Sequence, residues 1–244
     1  MNAEQVRTKM AALGLGGMIQ SFDDQMGMPN FRDLSFEERM NHLLENEILW
    51  RDNKRKERLL KAAKLREQAC MENIDYNPKR GLDKSVMASL SNCDWINNGQ
   101  NIIITGPTGA GKTWLACALG NQACRRGLKT NFFRLPLFLE DLSELHKDST
   151  FTKKINQIAK LDLLILDDFG LTKLNAMARR DLLEIVEARS GLRSTIVTTQ
   201  LPVDKWHDFL SEGNPTAADA IIDRLVGNSH RLNLKGDSMR AVKL

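Results

Sequence analysis

Hydrophobic and polar positions change their spacing along the chain, and the change separates a helical beginning from a second part of different character. Near the start, Val6, Met10 and Leu13 recur at helical spacing. A later apolar stretch of the same period follows Ser35 and Glu38, which have the spacing of a capping box at a helix start. The first seventy or so residues are therefore predicted to be helical.

Turn-forming residues mark the boundary between the two parts. Segment 73–81 contains Asn77-Pro78 and ends in glycine, which is typical of a linker. We expect a helical N-terminal domain over 1–72, a linker with a short helix over 73–94 and a second domain over 95–244. Glycine-rich breaks inside the first domain predict several separate helices and no long coiled coil.

The second part alternates short apolar runs with amphipathic helical stretches. This alternation is typical of α/β proteins in which helices cover both faces of a parallel sheet. The apolar runs predict five strands, at 101–105, 130–135, 162–167, 194–199 and 230–234.

The strongest chemical signal follows the first predicted strand. Residues 106–113 match the pattern Gly-x-x-x-x-Gly-Lys-[Ser/Thr], and a helical pattern comes next. Such glycines let backbone N–H groups face a phosphate, and the helix adds its positive N-terminal end. The loop predicts an ATP site in which Lys112 reaches the β- and γ-phosphates and Thr113 supplies a hydroxyl to Mg²⁺. Its members are Gly106, Pro107, Thr108, Gly109, Ala110, Gly111, Lys112 and Thr113.

Two adjacent acids end the third apolar run. Successive strand residues point to opposite faces, so Asp167 and Asp168 are expected to differ in role. Asp167 is the candidate for holding Mg²⁺, directly or through water, and Asp168 is the candidate for orienting and deprotonating the attacking water. The alternative is a structural pair that caps the turn through Gly170.

Two further catalytic candidates rest on weaker patterns. Gln200 follows the fourth strand, at the edge where ligands of open α/β sheets bind, and is a candidate to sense the γ-phosphate. The alternative is an exposed amide before a turn. Arg224 falls late on a predicted helix, where it either faces that helix's own negative end or projects into the ATP site of a neighbouring subunit.

Charge is unevenly distributed, although 35 basic and 31 acidic residues leave a net charge of only +4. From Arg51 to Arg66 the sequence contains eight basic residues and only two acidic ones. Such a run forms either an ordinary solvated surface or a contact with the phosphate backbone of DNA. The candidate DNA contacts are Lys54, Arg55, Lys56, Arg58, Lys61 and Lys64.

Composition excludes several other classes of protein. Four cysteines and four histidines lack the spacing of metal ligands, which argues against a zinc site. The sequence has no apolar run of about 18 residues and no signal peptide, which predicts a soluble, cytoplasmic protein without a membrane partner.

Further segments carry a family resemblance that spans nearly the whole chain. The most selective are Leu-Gly-Leu-Gly-Gly-Met at 13–18, Gln-Leu-Pro at 200–202 and Lys-Gly-Asp-Ser-Met-Arg at 235–240. Others are 34–39, 80–83, 163–170 and 219–226. Together with the phosphate loop, they resemble the IstB-like helper ATPases of bacterial insertion sequences, relatives of the DnaC-type helicase loaders within the AAA+ ATPases.

The resemblance implies a fold, an activity and partners. The fold is a P-loop AAA+ domain with a five-stranded parallel sheet of order 5-1-4-3-2, preceded by a small all-α domain. In contrast to many relatives, we expect no C-terminal helical lid, because the sequence leaves no room for one after the fifth predicted strand. The activity is ATP hydrolysis coupled to head-to-tail self-assembly on duplex DNA and to delivery of that DNA to a cognate transposase. The resemblance also favours Arg224 as an arginine finger acting on a neighbouring subunit.

The chain departs from the wider AAA+ pattern at the residues that act on water and phosphate. Asp168 stands where Glu is more frequent, and Gln200 stands where Asn is usual, which predicts slow hydrolysis that DNA or a partner stimulates. Arg240 is only a weak candidate for a second sensor. Two alternative functions use the same core: a replicative helicase loader that prefers single strands, and an ATP switch that does not hydrolyse.

Overall fold

The computed structural model describes residues 2–31, 33–147, 149–236 and 238–239. The chain divides into two compact units, Met1–Arg58 and Leu59–Leu244. This division lies earlier than the predicted boundary after residue 72, and the functional division into 1–72, 73–94 and 95–244 remains a prediction. No helix in the described ranges is both long and apolar enough to cross a membrane.

The first unit is helical, with breaks where glycines predict them. Helix α3 (Phe36–Ala63) begins at the predicted capping box, directly after Ser35. The Ser35 N–H donates to the Glu38 carboxylate at 2.8 Å, and the Glu38 N–H donates to Ser35 Oγ at 3.2 Å. The elements are α1 (Ala3–Ala12), α2 (Gly16–Gly27), a 3-10 turn (Pro29–Phe31) and α3 (Phe36–Ala63), whose last residues belong to the second unit.

A buried carboxylate joins α2 to α3. Glu47 accepts hydrogen bonds from the N–H groups of Gly17 at 2.8 Å and Met18 at 3.0 Å, at the start of α2, and from Arg51 Nε at 2.6 Å. Burial alone raises the pKa of Glu47, but the hydrogen bonds from Arg51, Met18 and Gly17 outweigh it and leave that pKa below its ordinary value. The carboxylate therefore satisfies N–H groups that a helix start leaves without partners.

The second unit contains a five-stranded parallel sheet, as predicted. Its strands are β1 (Asn101–Thr105), β2 (Thr130–Arg134), β3 (Leu163–Phe169), β4 (Ser194–Thr199) and β5 (Ser229–Asn233). Each predicted run becomes a strand, with ends that shift by two residues at most. The order β2-β3-β4-β1-β5 is the predicted 5-1-4-3-2, which confirms the expected fold.

Helices cover both faces of the sheet. The α-helices are α4 (Lys84–Ser91), α5 (Asp94–Asn97), α6 (Lys112–Arg125), α7 (Leu135–Lys147), α8 (Phe151–Ala159), α9 (Ala176–Glu187), α10 (Trp206–Leu210) and α11 (Pro215–Val226). Further 3-10 turns are Met71–Asn73, Pro78–Arg80 and Val203–Lys205. Ile102 and Ile104 of β1 enter the core that contains α6, and Ile103 enters the core on the opposite face.

The segment after α3 belongs to the second unit and packs against the core of that unit. Ala63, the last residue of α3, and Ala69 are fully buried. Leu65 packs against the core that contains α6, where Ala69 also lies. Residues 63–69 therefore lie beside the helix that follows the phosphate loop.

Candidate nucleotide site

The phosphate loop leaves the carboxyl end of β1, a central strand, and leads into α6. The loop glycines Gly106, Gly109 and Gly111 have φ values of 149°, 82° and 88°. Gly106 tolerates no side chain, because a Cβ there would lie 2.5 Å from the carbonyl oxygen of Leu234. The sequence pattern thus corresponds to a strand, a tight loop and a helix start, the arrangement that binds phosphate in P-loop proteins.

Lys112 is the first residue of α6, and its ammonium stays against the loop. Its Nζ donates to the carbonyl oxygens of Gly106 and Pro107, each at 2.8 Å. The positive charge of Lys112 therefore adds to the positive end of α6 at the place where the motif predicts phosphate.

Asp167 lies fully buried beside Thr113, the second residue of α6. Its Oδ1 accepts hydrogen bonds from Thr113 Oγ1 at 2.8 Å and Thr198 Oγ1 at 2.5 Å. Its Oδ2 is buried and has no hydrogen-bond partner among the described residues. Burial raises the pKa of Asp167 and Asp168 adds to this, while the two hydroxyls and Arg66 lower it, and the net shift is upward.

This arrangement fits a bound Mg²⁺. A buried carboxylate with one unsatisfied oxygen, next to a threonine hydroxyl, offers the oxygen ligands that this ion takes. A cation would supply the close partner that Asp167 Oδ2 lacks, because the nearest cationic group among the described residues, Arg66 Nη1, lies 3.7 Å away and makes no hydrogen bond to it. The residues that would hold it are the predicted pair, Thr113 and Asp167.

Asp168 differs from its neighbour in conformation and in partners. The pairing of β3 with β4 is irregular between Leu166 and Phe169, and Asp168 has a φ of 64°. Its N–H donates to Thr198 Oγ1 at 3.2 Å. Its Oδ2 accepts a hydrogen bond from Arg134 Nε at 3.1 Å and forms an ion pair with Arg134 Nη2 at 3.0 Å. Asp167 and Asp168 thus face different surroundings, as predicted, although a bulge contributes to the separation.

Arg134 was not among the predicted site residues. It is the last residue of β2, and parallel pairing places it beside Asp167. Its place at the carboxyl end of a strand is the one sequence signal that pointed to it, because these ends meet at the ligand-binding edge of the sheet.

Gln200 reaches the phosphate loop directly. Its Oε1 accepts a hydrogen bond from Thr108 Oγ1 at 2.7 Å. The cleft beside the loop is lined by Gln200, Thr108, Lys112, Thr113, Asp168 and Arg134, and also by Arg66, Arg80 and Trp114. The structure therefore brings together the predicted loop, acid pair and glutamine.

Arg224 lies at the opposite end of β1. Asn101, the first residue of that strand, donates from Nδ2 to the Arg224 carbonyl oxygen at 2.9 Å. The loop begins only after the last residue of this five-residue strand, about 16 Å away at the usual rise per residue. The guanidinium pairs with Glu187 at 2.5 Å and donates to the Ala220 carbonyl of its own helix at 3.0 Å. Arg224 is not part of the site in its own chain.

The candidate DNA contacts lie on α3 and just after it. Lys54 pairs with Glu57 at 3.0 Å, and Lys56 lies 3.9 Å from Asp52, so the helix balances part of its own charge. Arg55, Arg58, Lys61 and Lys64 are exposed. The weak sensor candidate Arg240 falls outside the described residues.

Comparison with known proteins supports one family. The model described as IstB-like ATP binding protein matches residues 8–243. An insertion sequence ATP-binding protein of Sinorhizobium fredii is 44% identical over 240 residues, which cover 98% of this chain and 97% of that protein. Another, from Pseudomonas fluorescens, is 47% identical over 203 residues, which cover 83% of this chain and 88% of that protein.

Solved structures share the fold at lower identity. The DnaC helicase loader matches with a TM-score of 0.55 and 23% identity, over 68% of this chain and 97% of that one. AMPPCP-bound DnaA from Aquifex aeolicus matches with a TM-score of 0.58 and 24% identity, over 72% of this chain and 53% of that one. With a phosphate loop, a five-stranded parallel sheet and this sequence similarity, the chain belongs to the family of IstB-like ATP-binding proteins and is similar to the ATP-binding proteins of insertion sequences.

Proposed function

We propose that this protein hydrolyses ATP, assembles head to tail on duplex DNA and delivers that DNA to its cognate transposase. The observation that carries the proposal is the distance between Arg224 and the phosphate loop of the same chain. The loop, the acid pair and the glutamine converge at one end of the central strands, whereas the arginine lies at the other end. In this proposal, a second copy completes the site with its own Arg224.

Within one chain, the loop N–H groups and Lys112 bind the β- and γ-phosphates, and Thr113 and Asp167 hold the metal. Mg²⁺, when bound, neutralises charge that develops on the phosphates. Asp168 orients and deprotonates the attacking water once Arg134 releases it, and Gln200 responds to the γ-phosphate through Thr108. Asp168 is shorter than the glutamate that is more frequent at this position, and Arg134 holds its carboxylate. We therefore expect slow hydrolysis that a partner stimulates.

Between copies, Arg224 acts as the arginine finger, with Glu187 beside its guanidinium. A residue supplied by the neighbouring copy requires a head-to-tail interface, which closes into a ring or extends as a helical filament. Arg224→Ala should retain ATP binding and reduce hydrolysis about 1,000-fold. Mixing Arg224→Ala with Lys112→Ala provides the decisive control, since each variant lacks a different half of the site.

Recovery of hydrolysis in that mixture would support action between copies, because some interfaces then carry both an intact loop and an intact arginine. A mixture as inactive as its components would contradict it. Loss of ATP binding in Arg224→Ala would instead indicate a structural role for Arg224.

The DNA part of the proposal rests on the basic residues of α3 and on the insertion-sequence names of the relatives. Neutralising Lys54, Arg55, Lys56 and Arg58 together should weaken binding to all DNA sequences alike. The slope of log affinity against log salt should flatten by about 0.9 for each phosphate that the variant no longer neutralises. An unchanged slope would leave these residues as a solvated surface.

The test of the whole proposal is sedimentation with ATP and Mg²⁺ on duplex and single-stranded DNA of equal length. Large particles on duplex DNA, absent for Lys112→Ala, are expected. Assembly on single strands alone would instead favour a helicase loader.

A second candidate is an ATP switch that does not hydrolyse, which the pairing of Asp168 with Arg134 favours. In that case ATP turnover by the parent would not exceed background, and Asp168→Asn would not change it. Under the main proposal the same change lowers turnover about 100-fold or more.

A further inference from the structure

Three arginines line the nucleotide cleft, and two of them are held by acceptors within the protein. Arg134 pairs with Asp168 through two nitrogens, at 3.1 and 3.0 Å. Arg80 is buried and donates to the carbonyl oxygens of Asp75 at 3.0 Å and Ala110 at 3.3 Å. These two side chains hold neighbouring parts of the cleft in place.

The third arginine, Arg66, is held much less. Its Nη1 lies 3.7 Å from Oδ2 of Asp167, and its side chain is 41% exposed. Charge-assisted hydrogen bonds between such groups are usually about 2.7–2.9 Å long. In the described part of the chain, this carboxylate is the only partner of the Arg66 guanidinium. Arg66 is thus near the acid without being hydrogen-bonded to it.

The backbone that carries Arg66 is nevertheless fixed. The N–H groups of Arg66 and Glu67 donate to the sulfur of Cys117. Cys117 is buried on α6, one turn after Thr113, and Leu65 packs into the same core. The side chain of Arg66 therefore starts from a fixed point beside the candidate metal-binding pair and extends into the cleft.

The charges in the cleft make Arg66 suitable for binding a phosphate. ATP carries several negative charges, and Lys112 and the helix end meet them from the side of the loop. A guanidinium offers planar, paired donors that fit phosphate oxygens. When Asp167 turns its unsatisfied oxygen to a cation, its attraction for Arg66 weakens and a phosphate becomes the better partner.

We propose that Arg66 binds a phosphate of the nucleotide within the same chain, exchanging Asp167 for that phosphate when the metal-bound nucleotide enters. The site then includes a residue from the segment after α3, outside every ATPase motif in the sequence. The proposal rests on the proposed metal-binding role of Thr113 and Asp167, but it requires neither hydrolysis nor assembly on DNA.

The test is calorimetric titration of the full chain with ATP and Mg²⁺, without DNA. Arg66→Ala should weaken ATP binding about 10- to 100-fold, the loss expected for a hydrogen bond to a charged group. Arg66→Lys, which keeps the charge, should recover part of it. Arg125→Ala is the matched control, because Arg125 pairs with Glu72 at the far end of α6 and should leave the affinity unchanged.

Thermal unfolding without nucleotide tests whether Arg66 has only a structural role. The melting temperature of Arg66→Ala should equal that of the parent. ATP affinity equal to that of the parent would overturn the proposal, as would an affinity loss matched by an equal loss of stability. Normal ATP binding by Arg66→Ala, together with ATP-dependent assembly of the parent on duplex DNA, would reject the Arg66 proposal and leave the transposition proposal standing. Weakened ATP binding in a chain that never assembles on DNA would do the reverse.

Discussion

Two buried carboxylates, one in each unit, have opposite surroundings. Glu47 in the first unit is 6% exposed and accepts hydrogen bonds from two N–H groups and one guanidinium. Asp167 in the second unit is fully buried, and its Oδ2 has no hydrogen bond among the described residues. The pKa of Glu47 is lowered, because its hydrogen bonds outweigh burial, whereas burial raises the pKa of Asp167.

The difference is the one expected between a structural acid and the proposed metal-binding acid. An unsatisfied buried polar atom costs roughly 1–3 kcal/mol. Within the described ranges, Asp181 Oδ2 and Arg80 Nε are also unsatisfied, so the case for Asp167 rests on its contact with Thr113 beside the phosphate loop as well. Glu47 contributes to stability through its partners. Asp167 has the cost without the compensation, which a bound cation would supply.

The largest expected effect is the loss of ATP turnover when Asp167 is changed. Asp167→Asn should reduce ATP turnover about 1,000-fold, because a metal ion supplies several kcal/mol of transition-state stabilisation. Mg²⁺ should also cease to tighten ATP binding, which titration with and without the ion would measure. The exposed Asp204→Asn is the control and should change neither quantity. Unchanged Mg²⁺ dependence in Asp167→Asn would place this acid with Glu47, as a structural residue.

The next effect tests Glu47. Glu47→Gln removes the charge that three donors share, and it should lower the free energy of unfolding of the first unit by about 1.5–3 kcal/mol. Urea unfolding followed by a probe in the first unit would measure this. Glu45→Gln, at an exposed position on the same helix, should have almost no effect. A large fall in ATP affinity of Glu47→Gln would contradict the comparison.

Local patterns were enough to predict the fold and the core of the site. Apolar runs located each strand. The phosphate loop is one continuous segment between β1 and α6, and the acid pair is two adjacent residues of β3, so each could be recognised from a short stretch of sequence. The helix that carries Arg224 was also predictable from its period. The placement of that residue at the opposite end of β1 followed from the fold.

Contacts between distant segments were not predictable. Arg66 and Arg134 reach the acid pair from 101 and 34 residues away in sequence, and no spacing rule links them to it. The positive φ of Asp168 comes with an irregular strand pairing that the sequence does not signal. The contact of Glu47 with the start of α2 also depends on how two helices pack.

A third prediction tests why α2 begins with glycine beside Glu47. A Cβ at Gly17 would lie 2.5 Å from the carbonyl oxygen of Asn46, a backbone atom that cannot rotate away. Gly17→Ala should therefore lower the free energy of unfolding of the first unit by about 1–3 kcal/mol. Gly27→Ala, at the end of the same helix with no atom within 4 Å, is the control. It should be neutral or stabilising by about 0.5–1 kcal/mol. Equal effects would mean that the α2–α3 contact is loose.

The smallest expected effect is the pH dependence of the stability that Glu47 contributes. Because its pKa is lower in the folded state than in the unfolded chain, its contribution to stability is complete above the unfolded value of about 4.3 and is lost as pH falls through the folded value. The parent should therefore lose stability of its first unit in this acidic range more steeply than Glu47→Gln, and the two unfolding curves should converge at the lowest pH. The experiment is urea unfolding of both proteins between about pH 7 and pH 3. A difference that stays constant across this range would show that Glu47 acts through its shape and not through its charge, and would remove the contrast with Asp167.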